Sequence, residues 1–190
     1  MEKLLSEIRS CNVCTPFLEL GSRPVVSASP ESRILIIGQA PGTSVHKTGI
    51  PWNDPSGRKL REWMNITDKE FYNPQKIGLM PMGFCYPGKG KSGDLPPRKE
   101  CAPLWHPPLL QLMPGLKLTL LIGQYAQAYY FGKNARATLT ETVRNYKTYG
   151  PGYIPLPHPS PRNRIWLKRN PWFENEIVPD LQKQIAEILQ

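Results

Sequence analysis

Apolar residues along the chain fall into short solid runs separated by polar, Gly- and Pro-rich stretches. Arg33 to Gly38 reads RILIIG, bounded by Ser-Pro-Glu-Ser and by a Gly-containing turn. A solid run of this length predicts a strand buried on both faces. Leu118 to Gly123, LTLLIG, repeats the pattern, and both runs end in Gly-Gln. Ile77 to Met80 is a weaker strand candidate, and Tyr153 to Pro157 is another strand candidate. Helical spacing marks residues 2–10 through Leu4, Leu5 and Ile8. It also marks RKLREWM, opened by Ser56-Gly57 with Ser56 as the expected cap, and QYAQAYYF after Gly123. Residues 98–113 read as a helix carrying Cys101, with a bend expected at Pro107-Pro108. The tail adds helical segments near 164–170 and 173–189. Residues 86–97, YPGKGKSGDLPP, predict an irregular basic loop.

Two strand–Gly–helix units in succession predict βαβ winding, an α/β fold and a parallel sheet. An open parallel sheet carries its site beyond the carboxyl ends of its strands. GQAPG (Gly38–Gly42) and HPSPRN (His158–Asn163) both sit at such ends, so they are expected to meet in one cleft.

Composition narrows the picture. The 190 residues suit a single domain, 1–190, long enough to bury a core without disulfides. Twenty-two prolines imply many rigid connections. No apolar run approaches the length of a membrane helix, so no membrane partner is expected. The N-terminal MEKLLSEIRSC mixes charge with leucine and lacks a secretory core, so a cytoplasmic protein is expected. Lysine and arginine number 24 against 15 acidic residues, a net charge of +9. That excess favours polyanionic partners, because each neutralised phosphate releases counterions.

Four cysteines follow. Cys11 and Cys14 form Cys-x-x-Cys, and Cys85 and Cys101 are separated by fifteen residues. A cytoplasmic chain seldom ties cysteines into disulfides. Four thiolates can complete a tetrahedral zinc site or hold an iron–sulfur cluster, and buried free thiols are the plain alternative.

The motifs are weak one by one. GQAPG is neither a Walker loop nor a dinucleotide fingerprint, but its small residues let backbone amides approach a ligand. Trp52 and Asp54, in TGIPWNDPSG, put an aromatic plane beside a carboxylate, with core packing and helix capping as their structural alternatives. His158 lies at a strand end in a loop stiffened by prolines on both sides of Ser160. Arg162, Arg164, Lys168 and Arg169, interleaved with Trp166 and Trp172, suit phosphate contacts and base stacking; a solvated helix face has a similar pattern.

Taken together, from Cys11 to about Asn163, these segments resemble the uracil-DNA glycosylase superfamily, and most closely its iron–sulfur branches, families four and five. GQAPG looks like that family's first motif and HPSPRN like its second. The resemblance implies a three-layer α/β/α sandwich around a short, mainly parallel four-stranded sheet. It implies a [4Fe–4S] cluster, or alternatively zinc, on Cys11, Cys14, Cys85 and Cys101. Gln39 matches a position that is Glu in families four and five and Gln in family one. Ala40 falls where family one keeps a catalytic Asp. Trp52 falls where the family usually stacks a Phe on the extruded base. Asp54 resembles the Asp of the family-five Gly-Asp-x-Ser-Gly, thought to replace the missing carboxylate. His158 matches the second-motif histidine. Pro81 stands where family four has an Asn that reads uracil's edge, so a broader set of deaminated bases is implied.

The expected activity is excision of uracil or another deaminated base from DNA, the first step of base excision repair. His158, Asp54 and Gln39 are the expected catalytic residues. Ala40, Pro41, Gly42 and Trp52 would bind the base, and Ser160, Arg162, Asn163 and Arg164 the DNA, with Arg162 in the loop that wedges into the duplex. A nucleoid-associated monomer is expected. Two other readings remain at this point. One is a non-catalytic DNA-binding protein using the basic tail and an aromatic wedge; the other is a small-molecule nucleoside hydrolase.

Overall fold

The computed structural model describes residues 1–190. In chain order its elements are α1 (Glu2–Arg9), β1 (Ile34–Ile37), α2 (Thr43–Thr48), α3 (Pro55–Met64), α4 (Asp68–Phe71) and β2 (Ile77–Leu79). Then come β3 (Lys89–Gly90), β4 (Gly93–Asp94), α5 (Cys101–Gln111), β5 (Leu118–Ile122), α6 (Gln124–Phe131) and α7 (Leu139–Arg144). The chain finishes with β6 (Tyr153–Leu156), α8 (Arg164–Arg169) and α9 (Val178–Leu189).

Four strands pair in the order β2-β1-β5-β6, and every pairing is parallel. The chain goes from β1 to β2 on one side, then crosses to β5 on the other. The reversal places a crevice at the carboxyl ends of β1 and β5. The solid apolar runs are explained by burial on both faces. Ile34, Ile36, Leu118, Leu120 and Ile122 enter one core, with Leu60, Trp63 and Met64 of α3 and Leu181 and Ile185 of α9. Leu35, Ile37 and Leu121 enter a second, with Leu5 and Ile8 of α1, Leu109 of α5 and Ala126 of α6. Successive side chains of a strand point to opposite faces, so one run feeds two cores and the architecture is α/β/α in three layers. No helix is long and apolar enough to cross a membrane.

Several expectations need correction. Ser56 does not cap α3. Asp54 does, its Oδ1 accepting from the Gly57 N–H at 2.7 Å, with Pro55 in the first turn where its missing donor costs nothing. Residues 86–97 are not wholly irregular. Lys89–Gly90 and Gly93–Asp94 pair antiparallel as a small hairpin. α5 runs unbroken through Pro107 and Pro108. The two missing ladder bonds are offset by packing of Ala102, His106 and Leu109 into the second core. Trp166 and Trp172 do not present stacking faces beside the basic tail. They pack edge-on with each other and with Phe173 against the first core, and the Trp166 indole N–H donates to Thr140 Oγ1 at 2.9 Å.

His106, which no sequence motif marked, locks the second core to the sheet. It is 1% exposed. Its Nε2 is 3.1 Å from the Pro81 carbonyl and its Nδ1 2.7 Å from the Tyr130 hydroxyl. The carbonyl can only accept, so Nε2 donates and the Tyr130 O–H donates to Nδ1. Burial pushes this imidazole down to about 4, because the charged form loses its water. The unfolded chain therefore takes up a proton near pH 6.5 that the folded chain refuses until about 4. Stability falls with acidification across that window, by about 3 kcal/mol in total. The prediction is that urea unfolding at pH 7 and at pH 4.5 shows this loss, and that His106→Gln, though less stable at pH 7, shows a smaller acid loss. Equal acid losses in both proteins would remove His106 as the source.

Candidate active site and thiol cavity

Backbone pairing continues past the strand ends and aims the first motif. After β1 and β2 finish, Met82 N–H still donates to the Gly38 carbonyl at 2.9 Å and Gly83 N–H to the Gln39 carbonyl at 3.0 Å. Gln39 spends its main chain on this ladder and leaves its side-chain amide at a pocket. On the far side of the crevice, Gln127 of α6 is 3% exposed and donates to the carbonyls of Leu121 and Leu156 at 3.1 and 2.9 Å. That clamps the ends of β5 and β6 two residues ahead of His158. The Asn163 amide donates to the His158 carbonyl at 2.7 Å, and the Ser160 hydroxyl accepts from Arg162 N–H at 3.3 Å. Ser160 and Asn163, expected to touch DNA, are thus bonded within their own loop, and they fix where His158 stands.

The pocket brings the predicted residues together. Gly38 to Gly42, Pro51, Trp52, Asp54, Pro81 and His158 line it, with Val25 and Val45. It opens into a wider cleft of about 680 Å³ that shares Gln39 to Gly42, Asp54 and His158. The cleft adds Ser160, Arg162, Asn163, Tyr125 and the hairpin residues Gly90 to Asp94. Arg164 lies on the exposed start of α8 and does not line it.

Trp52 and His158 stack, with ring centroids 5.8 Å apart and planes inclined by 28°. Trp52 sits at φ 58°, a left-handed conformation that costs a bulky side chain about 1–2 kcal/mol. Strain of this kind persists where surrounding structure over-determines it. Here the indole is seated against Gly38, where a Cβ would lie 2.7 Å from the ring.

Burial pushes the His158 imidazole below the ordinary histidine range, opposed by the negative charges of Asp54 and Asp94. The ring is therefore neutral at neutral pH and has one N–H to give. Asp54 uses Oδ1 for the helix cap, so the helix-cap reading of Asp54 holds, and the same residue lines the pocket. Asp94 is a carboxylate that sequence reading missed, because residues 86–97 offered no element on which to place it.

The four cysteines come from three parts of the chain and line one cavity, with Phe84, Arg98 and Trp105. Cys11 and Cys14 follow α1, Cys85 follows β2, and Cys101 opens α5. All are free. Burial raises Cys85 to about 11 and Cys101 to about 12. Phe84 N–H donates to Cys101 Sγ at 3.3 Å, and the Arg98 side chain opposes the upward shift of Cys14. Hydrogen bonds aimed at sulfur suit thiolates held by a metal centre. No three His, Cys, Asp or Glu side chains stand close enough to hold one metal ion. Four soft donors around one shared space are a set that suits either zinc or an iron–sulfur cluster.

A seat this tight is testable. Gly38→Ala is expected to cost about 1–3 kcal/mol in urea unfolding, because the indole must move. Adding Trp52→Phe, a smaller ring, should restore part of that loss in a double-mutant cycle. Strictly additive effects would mean that Gly38 does not seat the indole.

Two comparisons place the chain among known proteins. The family model described as the Uracil DNA glycosylase superfamily matches residues 26–182. The type-4 uracil-DNA glycosylase of Sulfurisphaera tokodaii is 22% identical over 151 residues, which cover 78% of this chain and 66% of that protein. The chain thus spans just under two thirds of that relative's length. The family match takes in both motifs, Cys85 and Cys101; Cys11 and Cys14 precede it.

Proposed function

Because this chain belongs to the uracil DNA glycosylase superfamily, we propose that it excises uracil or another deaminated base from DNA by hydrolysing the N-glycosidic bond. The observation that carries the reading is the convergence of His158, Trp52, Asp54 and Gln39 on one pocket at the carboxyl edge of the sheet. The base must leave the stack to reach such a pocket. Trp52 supplies its planar wall, and Gln39 with the amides of Ala40 and Gly42 supplies polar contacts to its edge or to the attacking water. Pro41, buried and without an N–H, keeps the turn rigid.

The C1′–N bond breaks with its electron pair leaving on the base, so negative charge grows on the base and positive charge on the sugar. The neutral His158 donates its N–H to the developing base anion. The carboxylate of Asp54 stabilises the sugar cation, orients water towards C1′ and accepts the proton that water loses. The wall near Pro81 has no side-chain donor, and its carbonyl is already used by His106. That arrangement supports acceptance of several deaminated bases. With both indoles of the tail packed inwards, no aromatic wedge supports the non-catalytic alternative.

Asp54→Asn separates chemistry from stability, since Asn caps a helix as well as Asp. Unfolding stability should stay within about 0.5 kcal/mol. Formation of abasic sites on a uracil-containing duplex should drop about 100- to 1,000-fold, and His158→Ala should lose a similar factor. Full turnover in both variants would end these assignments. A panel carrying uracil, hypoxanthine and xanthine in labelled oligonucleotides identifies the preferred base.

Cys11, Cys14, Cys85 and Cys101 are proposed as the ligands of a [4Fe–4S] cluster, with zinc as the alternative. When bound, such a group cross-links α1, the segment after β2 and α5, and with four protein ligands it supports the fold rather than the reaction. Protein purified without oxygen should carry about four iron atoms per chain and visible absorption. Cys101→Ala should lose both together with thermal stability. A colourless protein with one zinc per chain would reject the cluster.

A further inference from the structure

The hairpin of β3 and β4 and the HPSPRN loop line one cleft. The hairpin tip carries Lys91 and Ser92, and Gly90 to Asp94 line the same cleft as His158 and Arg162. One bond joins the two: Arg162 Nη1 donates to the Ser92 carbonyl at 3.0 Å. The guanidinium lies so close to Gly93, at φ 152°, that a Cβ there would require it to shift. The glycines that suggested a formless loop instead let the hairpin tip pass beneath Arg162.

The charge on this rim is unspent. The ion pairs of the protein use Lys59, Arg61, Lys76, Arg98 and Arg144. Lys89, Lys91, Arg162 and Arg164 enter none of them, and all four are exposed. Lys91 and Arg162 therefore bring free cations to the cleft itself, with Lys89 and Arg164 beside them along the chain.

We propose that the Lys89–Asp94 hairpin is a second DNA-gripping lip, its two lysines holding backbone phosphates on the side of the extruded nucleotide opposite Arg162 and Arg164. This deepens the glycosylase reading and rests on it. A nucleotide swung out of a duplex leaves phosphates on both its 5′ and 3′ sides. A pocket flanked by cations on one lip alone would anchor only one of them. The Arg162–Ser92 bond holds the lips in register while no DNA is present. When Arg162 enters the duplex it gives up one hydrogen bond to a carbonyl and gains a phosphate or base-step contact in exchange.

The test is Lys89→Ala/Lys91→Ala against a charge-matched control, Lys117→Ala/Lys147→Ala. The control lysines are exposed at the amino ends of β5 and β6, the opposite end of the sheet. Binding to an undamaged duplex is followed by anisotropy across a salt series. Each lost phosphate contact should flatten the slope of log K against log salt by about 0.9, so the hairpin variant should lose about 1.8. Its apparent KM for lesion-bearing duplex should rise, while the single-turnover rate at saturating DNA stays within about twofold of the parent. Replacement of both lysines by arginine should restore the slope. The inference is overturned if the hairpin variant keeps the parent slope, or if both double variants lose the same amount. A parent protein that binds no DNA and produces no abasic sites defeats the glycosylase reading itself, which is a separate outcome.

Discussion

The backbone ladder that outlives β1 and β2 is the constraint on which the rest of the molecule leans. Two hydrogen bonds, from Met82 to Gly38 and from Gly83 to Gln39, carry strand pairing beyond the sheet. On one side they present Gln39 to Gly42 to the pocket. On the other they deliver Phe84 and Cys85 to the thiol cavity. Pro81, between them, turns its carbonyl to His106 and so joins the ladder to α5 and α6. A disturbance of the thiol cavity thus has a short covalent and hydrogen-bonded path to the pocket.

Electrostatics divides the site by depth. Inside, burial lowers the His158 imidazole below its ordinary range, while the charges of Asp54 and of Asp94, an exposed carboxylate on the hairpin, oppose that shift. At the rim, exposed lysines and arginines stand without acidic partners. A polyanion therefore meets cations first, and only the group that enters the pocket meets the imidazole and Asp54. For the proposed reaction, such an order would suit both attraction of a phosphate chain and stabilisation of a sugar cation.

Strain and capping show how single residues serve two purposes. Trp52 takes a left-handed backbone so that its ring can lie between Gly38 and His158. Asp54 two residues later closes the first turn of α3 with one oxygen and lines the pocket. Ser56, the residue that local propensity favours as a cap, is one position inside the helix, because Pro55 already begins it. The basic hairpin illustrates the same limit. Its glycines and prolines read as an irregular loop, yet Lys89–Gly90 pair with Gly93–Asp94 and Arg162 donates to the tip.

By itself the amino-acid sequence determined what depends on neighbours along the chain. The solid Ile/Leu runs demanded strands covered on both faces, and their Gly-Gln endings located the edge where a site had to lie. The motifs named His158, Trp52, Asp54 and the four cysteines. Only the tertiary structure decided what depends on neighbours across it. Arg162 reaches Ser92, seventy positions away; Asp94 shares a cleft with His158; Trp166 and Trp172 turn inwards; His106 finds Pro81. These partnerships arise from which faces the helices bury and where the strands end. Local spacing carries no record of them, because a side chain's partner is chosen by the packing of elements that are distant in sequence.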